Sequence, residues 1–376
     1  MDTTHKSVTG QRIIKKCRDY LKIPSVIGFE EPFFQALELE YKEMGLKTES
    51  LYNRYGRRIL MAVSNNDFRP DKLISAHIDR HGLYKILDRN LIYRGPANEQ
   101  QRDIEYAAHA IKRINFDKEE INPSQMARVS NYFVGEKVVA YDPVSFETLG
   151  EAYIAEKNLV VLDDYLTFEL EGLDNLKSLK HQVIPLAFVA EDSSGGSFIS
   201  GQIDNTLSVS VITKLFEHNL PFTAILTTDE EIGESWIYLE RFFSRHSMAP
   251  KNILVLDTSP YPASANREAM QENGSVVLRY TDNYAPFNRS FTHQLKNICD
   301  EAAIPFDFKD LTLLRLGNDH LGNTELGKLI LKTNHMYSGT TLQVPTSEYH
   351  TNKEKASIWS IANMYKLLTL FLEKPA

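Results

Sequence analysis

The sequence predicts an α/β protein, a mixed sheet with helices on both faces, interrupted by an inserted and partly β second domain. Three observations carry that reading. From residue 202 onward, short apolar runs alternate with helical patterns, the arrangement expected of a sheet covered by helices on both sides. Between residues 86 and 196 the alternation breaks. And 376 residues, of which 42% are hydrophobic and 24% charged, suffice for one large domain or two moderate ones, each with its own core.

Taken in order, Ile13, Ile14, Cys17, Tyr20 and Leu21 recur at helical spacing, and Pro24 follows as a stop. After the turn at 23–28, Phe33, Phe34, Leu37 and Tyr41 mark a second amphipathic helix that ends near Gly45. Arg58 to Ser64 and Lys72 to Ala76 read as short strands. The inserted domain at 86–196 opens with a polar helical stretch, Asp103 to Arg128, followed by strand-like runs at Lys137 to Tyr141, Leu159 to Leu162 and Leu166 to Leu170. Its far boundary is the small, polar tract Asp192 to Ser197, of the kind that joins domains. Residues 1–85 and 197–376 then form the main domain, and the insert is expected to control substrate access or oligomerisation. In the second half, Leu207 to Phe216, Ile237 to Phe243 and Phe291 to Ala303 read as helices, and Thr223 to Thr228 and Ile253 to Leu256 as strands. A last helix over roughly Lys355 to Glu373 places Ile358, Ile361, Ala362, Tyr365, Leu368 and Phe371 on one face.

The charge balance narrows the partners. A net charge of −8, from 50 acidic against 42 basic residues, comes without the long basic stretch that would neutralise a run of phosphates, so no nucleic-acid partner is expected. No run of about 18 apolar residues exists to span a bilayer, and Met1 to Lys16 lacks the apolar core of a secretory signal. The two cysteines, Cys17 and Cys299, lie far apart and outside any C-x-x-C spacing, which suggests neither a disulfide framework nor a thiolate metal site. A cytoplasmic protein is expected.

Five segments carry candidate chemistry. Leu73-Ile74-Ser75-Ala76-His77-Ile78-Asp79 is an apolar strand running into a histidine and an aspartate two positions apart, which face one side of a strand. His77 can bind a metal through one ring nitrogen while Asp79 orients it or a neighbouring group. Asp204 precedes the helical run from Leu207, where an ordinary N-cap would sit; its two oxygens also allow it to bridge two cations. Thr227-Thr228-Asp229-Glu230-Glu231-Ile232-Gly233 puts three acids directly after a strand, at the edge where open α/β sheets place their ligand sites. They repel one another unless cations or protons offset them. In a site, Glu231 would be a ligand and Glu230 a general base. Asn252 to Asp257 repeats the strand-then-carboxylate pattern, and His350 lies in a loop shortly before the terminal helix. Each segment alone has an ordinary explanation, as a cap, a solvated acidic turn or a surface histidine. Together they form one histidine and carboxylate set without cysteine, which suits two divalent ions engaged in hydrolysis, zinc first, with cobalt or manganese as alternatives.

On these residues the sequence resembles the dinuclear-metal exopeptidases, and within them the tetrahedral or deblocking (glutamyl) aminopeptidases. The resemblance spans most of residues 12–84 and 198–372. It rests on Pro24 to Glu31, Ala76-His77-Ile78-Asp79, Asp204-Asn205, Glu230-Glu231-Ile232-Gly233, Asp257 and Tyr349-His350-Thr351. It implies a zinc-exopeptidase-like main domain in which His77 and Asp257 hold one ion, Glu231 and His350 the other, and Asp204 bridges them. Glu230 is then the base, Asp79 supports the ligands, and Asp319 is an acid on the substrate side. The resemblance also implies peptide substrates and a homo-oligomer; the family's assembly has twelve subunits. The sequence departs from the family at Arg80-His81, at Asn205 and at Glu234-Ser235-Trp236. Three other readings use the same residues: a deacylase of N-acyl amino acids or small amides with the same ions and base, a glycosidase using Glu230 and Glu231 as its carboxylate pair, and a non-catalytic binding protein.

Overall fold

A computed structural model of the chain describes residues 3–65, 67–68, 71–86, 91–94, 106–107, 110–111, 133–155, 160–162, 165–172, 183–189, 196–261, 265–318 and 321–374. In chain order the strands are β1 (Lys47–Tyr52), β2 (Arg58–Ser64), β3 (Leu73–His77), β4 (Gly82–Ile86), β5 (Leu91–Arg94), β6 (Tyr106–Ala107), β7 (Ala110–Ile111), β8 (Lys137–Tyr141), β9 (Thr148–Ile154), β10 (Val160–Leu162), β11 (Tyr165–Phe168), β12 (Leu170–Glu171), β13 (Val183–Phe188), β14 (Phe198–Ser200), β15 (Thr223–Thr227), β16 (Ile253–Pro260), β17 (Val276–Leu278), β18 (Phe306–Phe308), β19 (Gly339–Ser347) and β20 (Lys355–Ser357). They form two large sheets. The first has ten strands, with the order β1-β2-β15-β3-β16-β19-β17-β18 and with β20 and β14 attached beyond β19. At its centre β15, β3, β16 and β19 all run parallel, and antiparallel pairings flank them. The second sheet has eight strands, in the order β10-β11-β5-β4-β13-β8-β9-β12, and its pairings are antiparallel.

The parallel centre is covered on both sides, which is why its strands read as unbroken apolar runs and not as alternation. Ile74, Ala76, Ala224, Leu226, Leu254 and Leu256 point into a core shared with the helices Thr3–Leu21, Thr206–Phe216, Arg289–Glu301 and Ile358–Glu373. The intervening Leu73, Ile225, Ile253 and Val255 point the other way, against the helices Ser235–Arg245 and Glu325–Lys332. Each of the leucines, isoleucines and valines among them, fully buried, contributes about 1.5–3 kcal/mol, so the sheet is held rigidly between two cores. Its carboxyl edge can then present polar groups at fixed positions.

The N-terminal helices match the reading of the sequence closely, at Thr3–Leu21 and Glu31–Glu43. Three expectations are corrected. The terminal helix begins at Ile358, because Lys355–Ser357 pairs with β14 and β19 as a strand and Ser357 Oγ then accepts the Trp359 N–H to start the helix. The N-cap position before Thr206 belongs to Asn205, not to Asp204. The helical stretch expected over Asp103 to Arg128 contains, in its described part, the short antiparallel pair β6–β7, where backbone pairing overrides the helical pattern. The rest of that stretch, and Asp192 to Gly195 of the joining tract, lie outside the described residues. Among the described residues no helix is long and apolar enough to cross a membrane.

Candidate metal centre

Four parallel neighbours end at one edge of the main sheet, and the side chains singled out from the sequence lie there. His77 is the last residue of β3. Asp257 lies within β16, next to β3, and the acidic turn follows β15 on the other side of β3. His350 follows β19, which pairs with β16, and Asp204 comes from the loop leading into the helix Thr206–Phe216. This is the carboxyl edge of the parallel strands, where open α/β sheets bind ligands.

The donors fall into two groups. His77, Asp204 and Asp257 offer ligand atoms within 4.8 Å of one another, and so do Asp204, Glu231 and His350. Asp204 belongs to both and divides its oxygens between them. Its Oδ1 lies 3.1 Å from His77 Nε2, and its Oδ2 lies 3.5 Å from His350 Nε2. His77 Nε2 is 3.8 Å from Asp257 Oδ1, and His350 Nε2 is 3.5 Å from Glu231 Oε2. Two donors each bound to one tetrahedral zinc at about 2.1 Å stand about 3.4 Å apart, so these spacings fit a shared ion. Glu230 Oε2 lies 4.0 Å from His77 Nε2, at the rim of the first group.

Local structure explains why the neighbouring acids divide. Asp229 takes a left-handed φ of 60°, which turns its side chain away from the two glutamates that follow. Its carboxylate accepts from the Arg57 guanidinium and, at 2.5 Å, from Tyr238 Oη. Glu30, itself buried, lies 4.0 Å from Arg57 and accepts the Gly28 N–H at 2.6 Å. The turn closes at Gly233, whose φ of 71° an L side chain would resist and whose carbonyl accepts from Lys328. Asp79 fixes the turn from below: its two carboxylate oxygens accept the backbone N–H groups of Glu230 and Glu231, each at 3.2 Å. Asp79 Oδ1 also lies 3.4 Å from His77 Nδ1, so one carboxylate orients both the histidine and the acidic turn. Asn205 Nδ2 donates to the Leu256 carbonyl at 2.7 Å, which ties the Asp204 loop to the strand carrying Asp257; the Asp204–Asn205 peptide is cis.

The electrostatics point to cations. Burial, reinforced by the charges of Asp257, Asp79 and Asp204, holds the Glu230 carboxyl well above its ordinary range despite His77. Burial and the charges of Asp204, Glu230 and Asp79 do the same to Glu231. Asp204 goes the other way: burial opposes its ionisation, but the hydrogen bonds from His350 and His77 prevail and hold it well below. His77 is raised, because its contacts with Asp204, Asp257 and Asp79 outweigh its burial. Carboxylates packed this closely out of water need protons or cations to offset them. Glu231 Oε1 is buried with no hydrogen-bond partner. A divalent pair satisfies both requirements, and donors of nitrogen and oxygen without sulfur fit zinc, cobalt or manganese.

Other groups in the surroundings carried no signal in the sequence. Glu354, fully buried, accepts from Thr258 Oγ1 at 3.1 Å, and burial and the charge of Asp204 raise it well above the ordinary carboxyl range. Glu325 lies beneath the sheet edge, accepting from Ser75 Oγ at 3.0 Å and from Thr227 Oγ1 at 2.8 Å, and so pins β3 to β15. Lys309 and Arg279 are buried cations on the Asp257 side. Lys309 Nζ donates to Ser259 Oγ at 2.9 Å, and burial and the Arg279 charge hold its ammonium well below the usual range. His81 packs edge-on against His350 with ring centroids 5.9 Å apart, and burial pushes it down to about 3. Asp319, expected on the substrate side, lies outside the described residues.

The M42 glutamyl aminopeptidase family model matches residues 182–367. No curated protein matches the sequence. Among solved structures, the aminopeptidase APDkam598 from the archaeon Desulfurococcus kamchatkensis is similar at 13% identity, covering 98% of this chain and 96% of that one, with a TM-score of 0.69. The Pyrococcus horikoshii TET1 peptidase, which can assemble into a tetrahedron or a large octahedral shell, is similar at 16% identity over 96% of this chain and 100% of that one, with a TM-score of 0.63. A Thermotoga maritima protein described as an endoglucanase is similar at 13% identity over 95% and 96% of the two chains, with a TM-score of 0.59. At these identities the structural likenesses establish the fold.

Proposed function

From the match of residues 182–367 to the M42 glutamyl aminopeptidase family model, we propose that this protein is a metal-dependent aminopeptidase that removes N-terminal residues from peptides at a dinuclear centre. The observation that carries the reading is the division of Asp204 between two histidines, one oxygen towards each donor group. On this reading His77 and Asp257 hold one ion, Glu231 and His350 the other, and Asp204 bridges them. Zinc is the expected metal, with cobalt or manganese as alternatives.

When bound, the two ions supply Lewis acidity: they polarise the scissile carbonyl and make a water molecule acidic enough to serve as nucleophile near neutral pH. The chain does the rest. Glu230, at the rim and 21% exposed, is the only acid of its turn left uncommitted to a donor group or to Arg57. It accepts the proton of the attacking water and returns it to the leaving nitrogen, as a general base and then a general acid. Asp79 keeps the Glu230 and Glu231 backbone and the His77 ring in register, so the proton moves over a fixed distance. An aminopeptidase would have to recognise a free substrate amine, and that requirement separates it from a deacylase.

Residues 86–196 form an inserted unit that controls substrate access or oligomerisation; the partners are peptides and further copies of the chain, and the protein works in the cytoplasm. The tetrahedral and octahedral shells of the Pyrococcus horikoshii protein support the oligomer. The direct test is a matched panel of free-amine and N-acetylated peptides. Hydrolysis confined to the free-amine members is the expected result, and equal or faster hydrolysis of the blocked members would replace the aminopeptidase with a deacylase.

A further inference from the structure

A cavity of about 680 Å³ opens between the first helix and the second sheet, lined by Lys15, Arg18, Lys22, Arg80, Phe188 and Ser200 among others. Its volume is that of a site for a small organic molecule. Lys15 and Arg18 lie three residues apart on the helix Thr3–Leu21 and Lys22 stands just beyond its end, so basic groups line the opening, with Asp19 the acid beside them. Asp19 is engaged by Lys22 at 3.1 Å.

Arg80 sets the chemistry. Its side chain is buried, and two of its guanidinium nitrogens donate to the carbonyls of Leu21 and Ile23. Its Nε has no hydrogen-bond partner, and no carboxylate among the described residues forms an ion pair with it. Ser200, 5% exposed, likewise has a hydroxyl without a partner. A buried guanidinium facing only carbonyls is costly to keep, because the desolvation of its charge is not offset by an opposite charge. Phe188, Leu21 and Val139 supply apolar wall beside it. The two segments involved also reach the metal centre: Arg80 follows His77 and Asp79 on one strand end, and Ser200 leads to Asp204.

We propose that this cavity binds a small organic anion, a carboxylate or phosphate carried on an apolar body, with its charge against Arg80 and Ser200 and its body along Phe188 and Leu21. The inference does not depend on the aminopeptidase reading.

Anilinonaphthalene sulfonate is a suitable probe, because its sulfonate is a weak metal ligand and its fluorescence rises in an apolar site. It is titrated into the intact metal-loaded protein. Binding should be about tenfold or more weaker in the Lys15→Glu, Lys22→Glu double variant, whose substitutions are exposed, and in Ser200→Val. The uncharged parent, phenylnaphthylamine, should bind about tenfold or more weaker than the sulfonate. Equal affinities in wild type and both variants, or for the charged and uncharged probes, would overturn the proposal. Displacement of the bound probe by phenyl phosphate alone assigns a phosphate ligand, and displacement by phenylacetate alone a carboxylate. Displacement by neither rejects the site.

Discussion

The two sheets are built from differently buried strands. In the main sheet, β3 and β15 are buried along their whole length, while β9 in the second sheet carries exposed Thr148, Glu151 and Tyr153 beside buried Ala152 and Ile154. A strand sandwiched between two cores can move in no direction, so a side chain at its end is held as firmly as the core itself. A strand with one solvated face has room to give. Four of the candidate residues belong to the first kind: His77 and Asp257 are on parallel central strands, and the turn carrying Glu230 and Glu231 follows another, while Asp204 and His350 come from loops. The second sheet reaches the centre at its margin, where His81 precedes β4 and packs against His350.

Substitutions can sharpen that contrast. The largest expected effect is on chemistry. Glu230→Ala should lower kcat about 10²–10⁴-fold while metal content stays at the wild-type level, measured by peptide hydrolysis beside metal analysis. Undiminished kcat would remove Glu230 from the mechanism. Next comes the scaffold behind the acidic turn. Arg57→Met leaves Asp229 and Glu30 buried without their cation and should cost about 3–5 kcal/mol, read as a lower midpoint in denaturant. A loss below about 1 kcal/mol, the size of an exposed pair, would mean that the network does not hold the turn. Asp79→Ala should then weaken metal binding about 10–100-fold, seen in competition with a chelator, with a smaller change in stability. At the other end of the scale, Tyr153→Ser on β9, where the side chain is 50% exposed, should change stability by no more than about 0.5 kcal/mol and leave activity alone. A marked loss of activity there would show that the second sheet shapes the site as tightly as the first.

How much of the candidate site is legible in the sequence follows from the same contrast. His77, Glu231 and Asp257 stand out because each is at or just after the end of an apolar run, Asp204 because it precedes a helical run, and His350 because it lies in a loop shortly before the terminal helix. Arg57, Glu325, Glu354 and Lys309 do not, because each works through a partner far along the chain, as Glu325 does through Ser75 and Thr227. Asp229 was visible only as one of three equivalent acids. Its left-handed backbone and its ties to Arg57 and Tyr238 set it apart, and neither leaves a local signature. The helix boundaries drifted where a short strand intervened, as at Lys355–Ser357, since three residues are too few to show a period. In the insert, the polar pattern over Asp103 to Arg128 suggested a helix, but the described part, β6 and β7, is extended, because pairing between strands is a non-local choice.

The central claim is that these five side chains hold a pair of ions that the reaction requires. It is tested most directly by measuring divalent metal per chain in the purified protein, together with aminopeptidase activity during chelation and re-addition. About two ions per chain, with activity lost on their removal and restored by zinc, cobalt or manganese, is the predicted result. A fully active protein that carries no metal would contradict it.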